Sequence, residues 1–412
     1  MNPMVEIRTV TDAELHTYHE AIGIGFGHRI TPEATDDYRA VTDLSRTFAG
    51  VDGGAVVGTT RSFATEVTLP GGAPVAAGAV TAVTVMPTHR RRGVLTGMMR
   101  AQHEDLVRRG EPLAVLIAAE APIYGRFGYG PATWRANLEI ERHRVRFAGE
   151  APDVPLRFVE PSEMLELAPP VYERFRAAQP GALARPEHFW RRRVGEFGGP
   201  DERKETAGHF HVVSHGPDGE PDGFASYELA GDWEGMRPAK RVELHELTAA
   251  SPTAYAALWR YVVDMDWSDR VVAHERSVTE ALPWLVVDRR QVKVVDVADF
   301  LWARVLDVPA VLSARTSVAA DGLVLEVLDA FLPDSGGRFA LEASPEGGTC
   351  ERTTAAPDLT LDTAELGAAV LGGTALAPAA TAGRVTEHRR GAVDAFDRLF
   401  VSAVAPWCHT WF

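Results

Sequence analysis

Apolar and polar positions change their period several times along the chain, and each change marks an element. Residues 5–10 read as a short strand. The stretch after Thr11 turns helical, and Glu14, three residues beyond Thr11, completes a capping box. Runs rich in valine, threonine and phenylalanine at 46–49, 54–63 and 77–86 are separated by VDGG (51–54) and LPGG (69–72), the pattern of an antiparallel meander with glycine turns. After Pro87 the period becomes helical. Val94, Leu95, Met98, Met99, Gln102 and Leu106 recur on one face, and Gly110 is the stop signal. Residues 113–118 form a short continuous apolar run, which predicts a buried strand. The order is strand, helix, meander, helix, strand.

A second pass through the same order starts near Pro155. LRFVEPSEM (156–164) resembles VEIRTVTDAEL (5–15), and helical stretches at 164–178 and 186–195 precede three strands at 209–214, 223–229 and 241–248. Ser251 and Pro252, an N-cap and an N1 proline, open a helix through Val263, and VVAHERSV (271–278) is strand-like. The chain therefore duplicates its first unit. The junction TAASPTAYAAL (248–258) lacks the arginines and glycine found at the matching place in the first copy. From Asp299 the composition shifts: 301–315 reads as a helix and loop, hairpin strands at 323–328 and 338–342 flank PDSGG, and a strand and an apolar helix occupy 356–373. A helix at 394–402 leads to the tail PWCHTWF. The fold class is α+β with three domains, at 1–150, 151–298 and 299–412.

Composition narrows the class without changing this picture. No apolar run approaches the ~18 residues of a membrane span, and the first ten residues lack the basic and apolar regions of a secretory signal. Cys350 and Cys408 are too few for a disulfide framework, which makes a reduced cytoplasm the expected compartment. A net charge of −15 argues against nucleic acid and suits a cationic partner.

The strongest local signal is VTAVTVMPTHRRRGVLTGMM (80–99). A strand ends at Val85, a proline stops pairing, and Arg90, Arg91, Arg92 and Gly93 run into a helix. A helix start exposes unpaired N–H groups and partial positive charge, so it binds phosphate; glycine admits close approach, and arginine adds bidentate donors. Taken alone, RRRG is more often a basic helix start on a soluble surface. The strand–junction–helix–strand context favours a cofactor cradle.

That arrangement resembles motif A of the GCN5-related N-acetyltransferases (the GNAT fold), R/Q-x-x-G-x-G/A, here Arg90 to Leu95 with Leu95 in place of the small residue. Together with APIYGRFGYGPATW (121–134), the tandem architecture and the aromatic C-terminal end, it resembles the enhanced-intracellular-survival (Eis) acetyltransferases along the whole chain. The resemblance implies a catalytic GNAT domain, a degenerate second one and a sterol-carrier-protein-like third. It implies acetyl-CoA as donor, with Val83, Thr84 and Val85 binding the pantetheine arm. The amides of Arg91, Arg92, Gly93, Val94, Leu95 and Thr96 would hold the pyrophosphate, and Ala119 and Glu120 would face the CoA side. It also implies a homohexamer that acetylates polycationic amines such as aminoglycosides.

Acetyl transfer needs a free amine, a stabilised oxyanion and a protonated leaving thiolate. Tyr124 and Tyr129 both follow the buried strand, and a phenol of pKa ~10 is close enough to a thiol to serve as acid. Spacing does not choose between them; the resemblance points to Tyr124. A tail ending Trp411-Phe412, with Trp407 nearby, is apolar enough to dock, which carries the α-carboxylate of Phe412 inside. By the resemblance that carboxylate is the base; an α-carboxylate of pKa ~3.5 is a weak base for an ammonium, and anchoring the cationic amine is the alternative role. Phe26 and His28 are further pocket candidates, and Arg126 and Phe127 are read as shaping the turn. GIGFG (23–27) lacks the βαβ context of a dinucleotide loop, and His209, His211 and His245, with no HExxH and no cysteine pairs, read as solvated or satisfied histidines rather than ligands, so no metal is expected. The readings set against the leading one are a longer-chain acyl-CoA acyltransferase and a lipid carrier with a non-catalytic GNAT scaffold.

Overall fold

The computed structural model describes residues 5–234 and 236–412; residues 1–4, the start of the stretch read for a secretory signal, lie outside it. The N-terminal part forms β1 (Glu6–Thr9), α1 (Leu15–Phe26), α2 (Pro32–Val41), β2 (Thr47–Asp52), β3 (Ala55–Thr68), β4 (Pro74–Val85), α3 (Val94–Arg108), β5 (Leu113–Ile117) and β6 (Gly130–Pro131). The middle gives β7 (Trp134–Glu141), β8 (Leu156–Val159), α4 (Pro161–Ala178), α5 (Glu187–Arg193), α6 (Pro200–Thr206), β9 (Phe210–His215) and β10 (Pro221–Ala230). There follow β11 (Trp233–Glu234), β12 (Arg237–Pro238), β13 (Lys240–Ala249), α7 (Pro252–Val263), β14 (Ser268–Ser277), α8 (Leu282–Leu285) and β15 (Val292–Asp299). The C-terminal part is β16 (Leu301–Val305), α9 (Val308–Ala314), β17 (Asp321–Leu328), β18 (Gly337–Ser344) and β19 (Gly347–Arg352). It ends with β20 (Leu359–Asp362), α10 (Thr363–Ala369), α11 (Ala377–Thr381), β21 (Val385–Glu387) and α12 (Ala392–Phe400).

These elements assemble into two compact units. The first comprises residues up to Thr133, Gln179–Leu183 and Asp299–Phe412; the second comprises Trp134–Ala178 and Ala184–Ala298. The break expected near 150 falls at Thr133, because β7 is a strand of the second unit's sheet.

In the first unit the sheet order is β1-β2-β3-β4-β5-β16-β6. Residues 301–305, read from sequence as the start of a helix, are instead a strand running antiparallel to β5, from Leu301 opposite Ile117 to Val305 opposite Leu113. All five are buried, and a short strand covered on both faces has no alternation to distinguish it from a buried helical turn. A second sheet, β19-β18-β17-β20-β21, shares a continuous apolar core with the first: Val67, Leu113 and Leu301 belong to the same cluster as Leu325, Phe339 and Phe396. The stretch after 299 therefore does not fold away from the N-terminal sheet.

The second unit has the sheet β15-β7-β14-β13-β10-β9-β8, covered by α4 and α7. Its core centres on Trp259, Val262, Leu244 and Ile140.

Candidate active site

The site lies in the first unit. Strand β4 pairs in parallel with β5 over Ala77–Ala79 only, and beyond that point no pairing joins the two strands. The cause is local. Against β3 the register passes from Thr84 opposite Thr59 to Thr81 opposite Arg61, so β4 carries a bulge at Ala82 and Val83, and Ala82 has a φ of 53°. The Thr59 hydroxyl donates to the Ala82 carbonyl at 2.7 Å and shares a 2.9 Å hydrogen bond with the Thr84 hydroxyl, which locks the bulge. Backbone groups of Val83, Thr84 and Val85 on the β5 side are thereby left for a ligand. Helix α1 crosses close by: a Cβ on Gly25 would lie 2.4 Å from Thr84 Cβ, so of the GIGFG glycines Gly25 serves helix–strand contact, while Gly27 is the left-handed C-cap of the helix.

The RRRG loop leads into α3 with two residues in the left-handed region, Arg91 at φ 64° and Gly93 at φ 81°. Gly93 is the N-cap, and no side chain caps the helix, so the amides of Val94, Leu95 and Thr96 are open to an anion. At the matching junction of the second unit, Ser251 caps α7 by accepting from the Ala254 amide, and its hydroxyl donates to Asp222. The second copy has closed the helix start that the first leaves open.

Tyr124 and Tyr129 have opposite surroundings. Tyr129 is fully buried and its hydroxyl makes a 2.9 Å hydrogen bond with His103 Nε2. Tyr124 packs edge-on to Tyr129, with ring centroids 6.1 Å apart, and its hydroxyl has no hydrogen-bond partner among the described residues. Burial, helped by the charge of Glu120, pushes the Tyr124 hydroxyl up to about 12, so it stays protonated across the neutral range.

The turn that carries Tyr124 is fastened from far along the chain. Arg304 of β16, completely buried, donates to the Phe127 carbonyl and pairs with Asp329 at 2.5 Å. Gly128 has a φ of 81°, and a Cβ there would collide with the Arg304 guanidinium at 1.8 Å; a Cβ on Gly130 would meet the Ala364 carbonyl at 2.0 Å. Arg304 and Asp329 carried no sequence signal, since a buried arginine in an apolar run looks the same as an exposed one.

The tail is docked. Residues 406–410 are buried, the Trp407 amide donates to the Pro180 carbonyl at 2.9 Å, and Trp407 stacks on His409. Trp411 lies edge-on to Phe300, and the Phe412 ring lies edge-on to Phe63, 5.4 Å between centroids. These features open on one cavity of about 660 Å³. Its walls include Val83, Thr84, Val85, Arg91, Gly93, Val94, Leu95, Thr96, Ala119, Glu120, Tyr124 and Phe412. Arg92 is the one expected cofactor residue whose side chain stands apart: it is exposed and pairs with Asp52 at 3.7 Å. Phe26 lines the cavity and His28 does not. Arg126, read as shaping the turn, is in the wall, and so are His89, Ile123 and Trp411, which sequence reasoning did not select.

A splayed strand beside an uncapped, arginine-flanked helix start suits a phosphate-bearing thioester, and comparison with known proteins agrees. A family model described as an acetyltransferase (GNAT) domain matches residues 6–132, another of the same description matches 181–305, and a sterol carrier protein domain matches 308–409. The protein is thus a tandem-GNAT, acyl-CoA-dependent N-acetyltransferase with an amine acceptor. An N-acetyltransferase of Streptomyces griseus is 40% identical over 98% of this chain and 99% of its own. The N-acetyltransferase Eis of Mycobacterium tuberculosis is 33% identical over 91% of each. The crystal structure of Eis1 from Mycobacterium abscessus matches with a TM-score of 0.86 at 32% identity, covering 99% of this chain and all of that one. The chain belongs to the Eis family of GNAT N-acetyltransferases.

Proposed function

We propose that this enzyme moves the acetyl group of acetyl-CoA directly to an amine of a polycationic small molecule such as an aminoglycoside, in the cytoplasm and as a homohexamer. The amine lone pair attacks the thioester carbonyl, a C–N bond forms, the C–S bond breaks, and the ammonium loses a proton while the thiolate gains one. Val83, Thr84 and Val85 align the pantetheine arm, and the amides from Arg91 to Thr96 hold the pyrophosphate, with Ala119 and Glu120 on the same side. Tyr124 is the residue that meets the leaving sulfur. With its hydroxyl at about 12 and a thiol near ~8.5, complete transfer from tyrosine alone would be uphill by ~5 kcal/mol at ~1.4 per unit. Tyr124 therefore acts as the hydrogen-bond donor to the developing thiolate, and the proton that ends on sulfur is supplied, net, by the amine. The Phe412 carboxylate, whose ordinary pKa is ~3.5, anchors the cationic acceptor and relays that proton through water.

The observation that carries this reading is the convergence of an open tyrosine hydroxyl, the Phe412 end and an uncapped helix start on one cavity. The cationic acceptor is supported by the net charge of −15. Oligomerisation is supported by the edge strand β15, whose Val294, Val295 and Val297 are exposed. Among the described residues no helix is long and apolar enough to cross a membrane. The test is thiol release from acetyl-CoA with a panel of aminoglycosides and polyamines. Acetyl-CoA binding without turnover on any amine would defeat the proposal. Extending the chain by one residue after Phe412 should cut turnover, and unchanged kinetics would remove the carboxylate from the scheme.

A further inference from the structure

The second unit contains a side-chain cluster that acetyl transfer does not use. Three neighbouring strands converge on it. His209 immediately precedes β9, Glu228 is in β10 and His245 is in β13. The β9–β10 register sets His211 opposite Ser226 and Phe210 opposite Tyr227, and continuing it brings His209 to Glu228. Between β10 and β13 the pairing jumps from Tyr227 opposite Leu244 to Ser226 opposite Glu246, so His245 is the extra residue of a bulge.

The His209 and His245 rings stack with centroids 4.0 Å apart and planes at 22°. One ligating atom from each of the three residues lies within 4.8 Å of the other two. His245 Nε2 is 3.6 Å from a Glu228 oxygen, too far for a hydrogen bond, and it is buried without a hydrogen-bond partner. Neighbouring groups make contacts of their own, although His211 Nε2 is likewise buried without a hydrogen-bond partner. His211 Nδ1 bonds Ser226 at 2.9 Å, Arg193 pairs with Glu246 at 2.9 Å and His274 with Glu243 at 2.9 Å. Of the histidines expected to be solvated or satisfied, His211 has its Nδ1 bonded, while His211 Nε2 and His245 Nε2 are buried without a partner.

We infer that His209, Glu228 and His245 bind one divalent first-row transition-metal ion. Two imidazole nitrogens and one carboxylate on fixed strands are the donor set such ions prefer over Mg²⁺ or Ca²⁺. Metal–nitrogen bonds of ~2.0–2.1 Å set tetrahedral ligand atoms ~3.3 Å apart, so the three donors need to draw in by about an ångström or two. An ion there ties β9, β10 and β13 together and satisfies the buried nitrogen, while its remaining position goes to water.

The test uses the full-length protein, freed of any histidine tag and of metal by chelation, then titrated with Co²⁺ and with Zn²⁺. The expected result is a visible Co²⁺ spectrum that saturates at one equivalent, is displaced by Zn²⁺, and is accompanied by a rise in Tm with either metal. His245→Gln and Glu228→Gln should each weaken binding by more than the ~10–100-fold that loss of an outer partner costs, with His143→Ala as an unaffected control. If His245→Gln does not fold, Glu228→Gln, on a half-buried strand position, decides alone. No saturable cobalt spectrum in the wild type, or binding equally tight in a folded Glu228→Gln, overturns the site.

Discussion

Exchanging the two tyrosine hydroxyls for hydrogen separates the chemistry of this fold from its stability. Tyr124→Phe removes an oxygen that makes no hydrogen bond among the described residues, so the folded state should change by less than ~0.5 kcal/mol. What it removes is a donor to a leaving thiolate. A hydrogen bond to a charged group contributes ~1.5–3 kcal/mol, which at ~1.4 kcal/mol per tenfold is a ~10–150-fold loss in kcat with little change in KM for acetyl-CoA. Tyr129→Phe should do the reverse. It strips the partner from Nε2 of a fully buried His103 whose Nδ1 already has none, a cost of ~1–3 kcal/mol in stability. Turnover of the fraction that remains folded should stay within about threefold. The assays are continuous thiol release at saturating acetyl-CoA and thermal unfolding by circular dichroism. If Tyr129→Phe abolished turnover in a folded protein while Tyr124→Phe did not, the assignment of Tyr124 to the leaving sulfur would be refuted.

Other outcomes follow from the same geometry. Arg91→Ala, in the cavity wall, should raise KM for acetyl-CoA several-fold. Arg92→Ala, which gives up only an exposed pair with Asp52, should change it by less than about twofold, and equal effects would contradict the side-chain positions. Gly128→Ala drives a methyl into Arg304 at a left-handed residue, and Arg304→Ala leaves Asp329 buried and unpaired. Each should cost at least ~3 kcal/mol, read as loss of soluble protein or a large fall in Tm. His19 is held down to about 4 by burial and then by Arg61, and His103 well below its usual value by burial and then by Arg304 and Arg100. Unfolded histidine titrates near ~6.5, so between pH 6.5 and 4 the unfolded chain binds more protons and stability is lost as pH falls. His19 alone accounts for ~3 kcal/mol of that loss. A Tm flat down to pH 4.5, or the same slope in His19→Gln, would argue against it.

Much of this architecture was legible wherever local chemistry decides the element. Ser251-Pro252 opened a helix because a hydroxyl and a proline suit a helix start whatever surrounds them, and RRRG marked the cradle because its context was strand, proline, glycine and helix. Thr31 and Pro32 offered the same signal for α2, where Thr31 does accept the Ala34 amide, and the signal was passed over. The rest was hidden for a physical reason. Residues 301–305 are buried on both faces, and residues 134–141 pair with a strand far along the chain, so neither periodicity nor neighbouring residues could assign them to a sheet. Within the site, spacing left Tyr124 and Tyr129 equivalent. Their tertiary surroundings distinguish them: Tyr129 is bonded to His103 on α3, and Tyr124 lines the cavity. Trp411 and Arg126 entered the cavity wall through tertiary docking, which no local pattern encodes.

The insertion of β16 beside β5 also constrains how the protein is made. Arg304 and the Phe127 carbonyl it fastens are 177 residues apart. At ~5–20 residues per second, a ribosome needs about 10–35 s to cover that distance. For that interval the nascent chain carries a sheet with one flank unfilled and a Tyr124 turn without its clamp, a state open to misfolding and to capture by chaperones. An isolated N-terminal fragment would remain there permanently, so the catalytic half should not be recoverable as a free-standing piece.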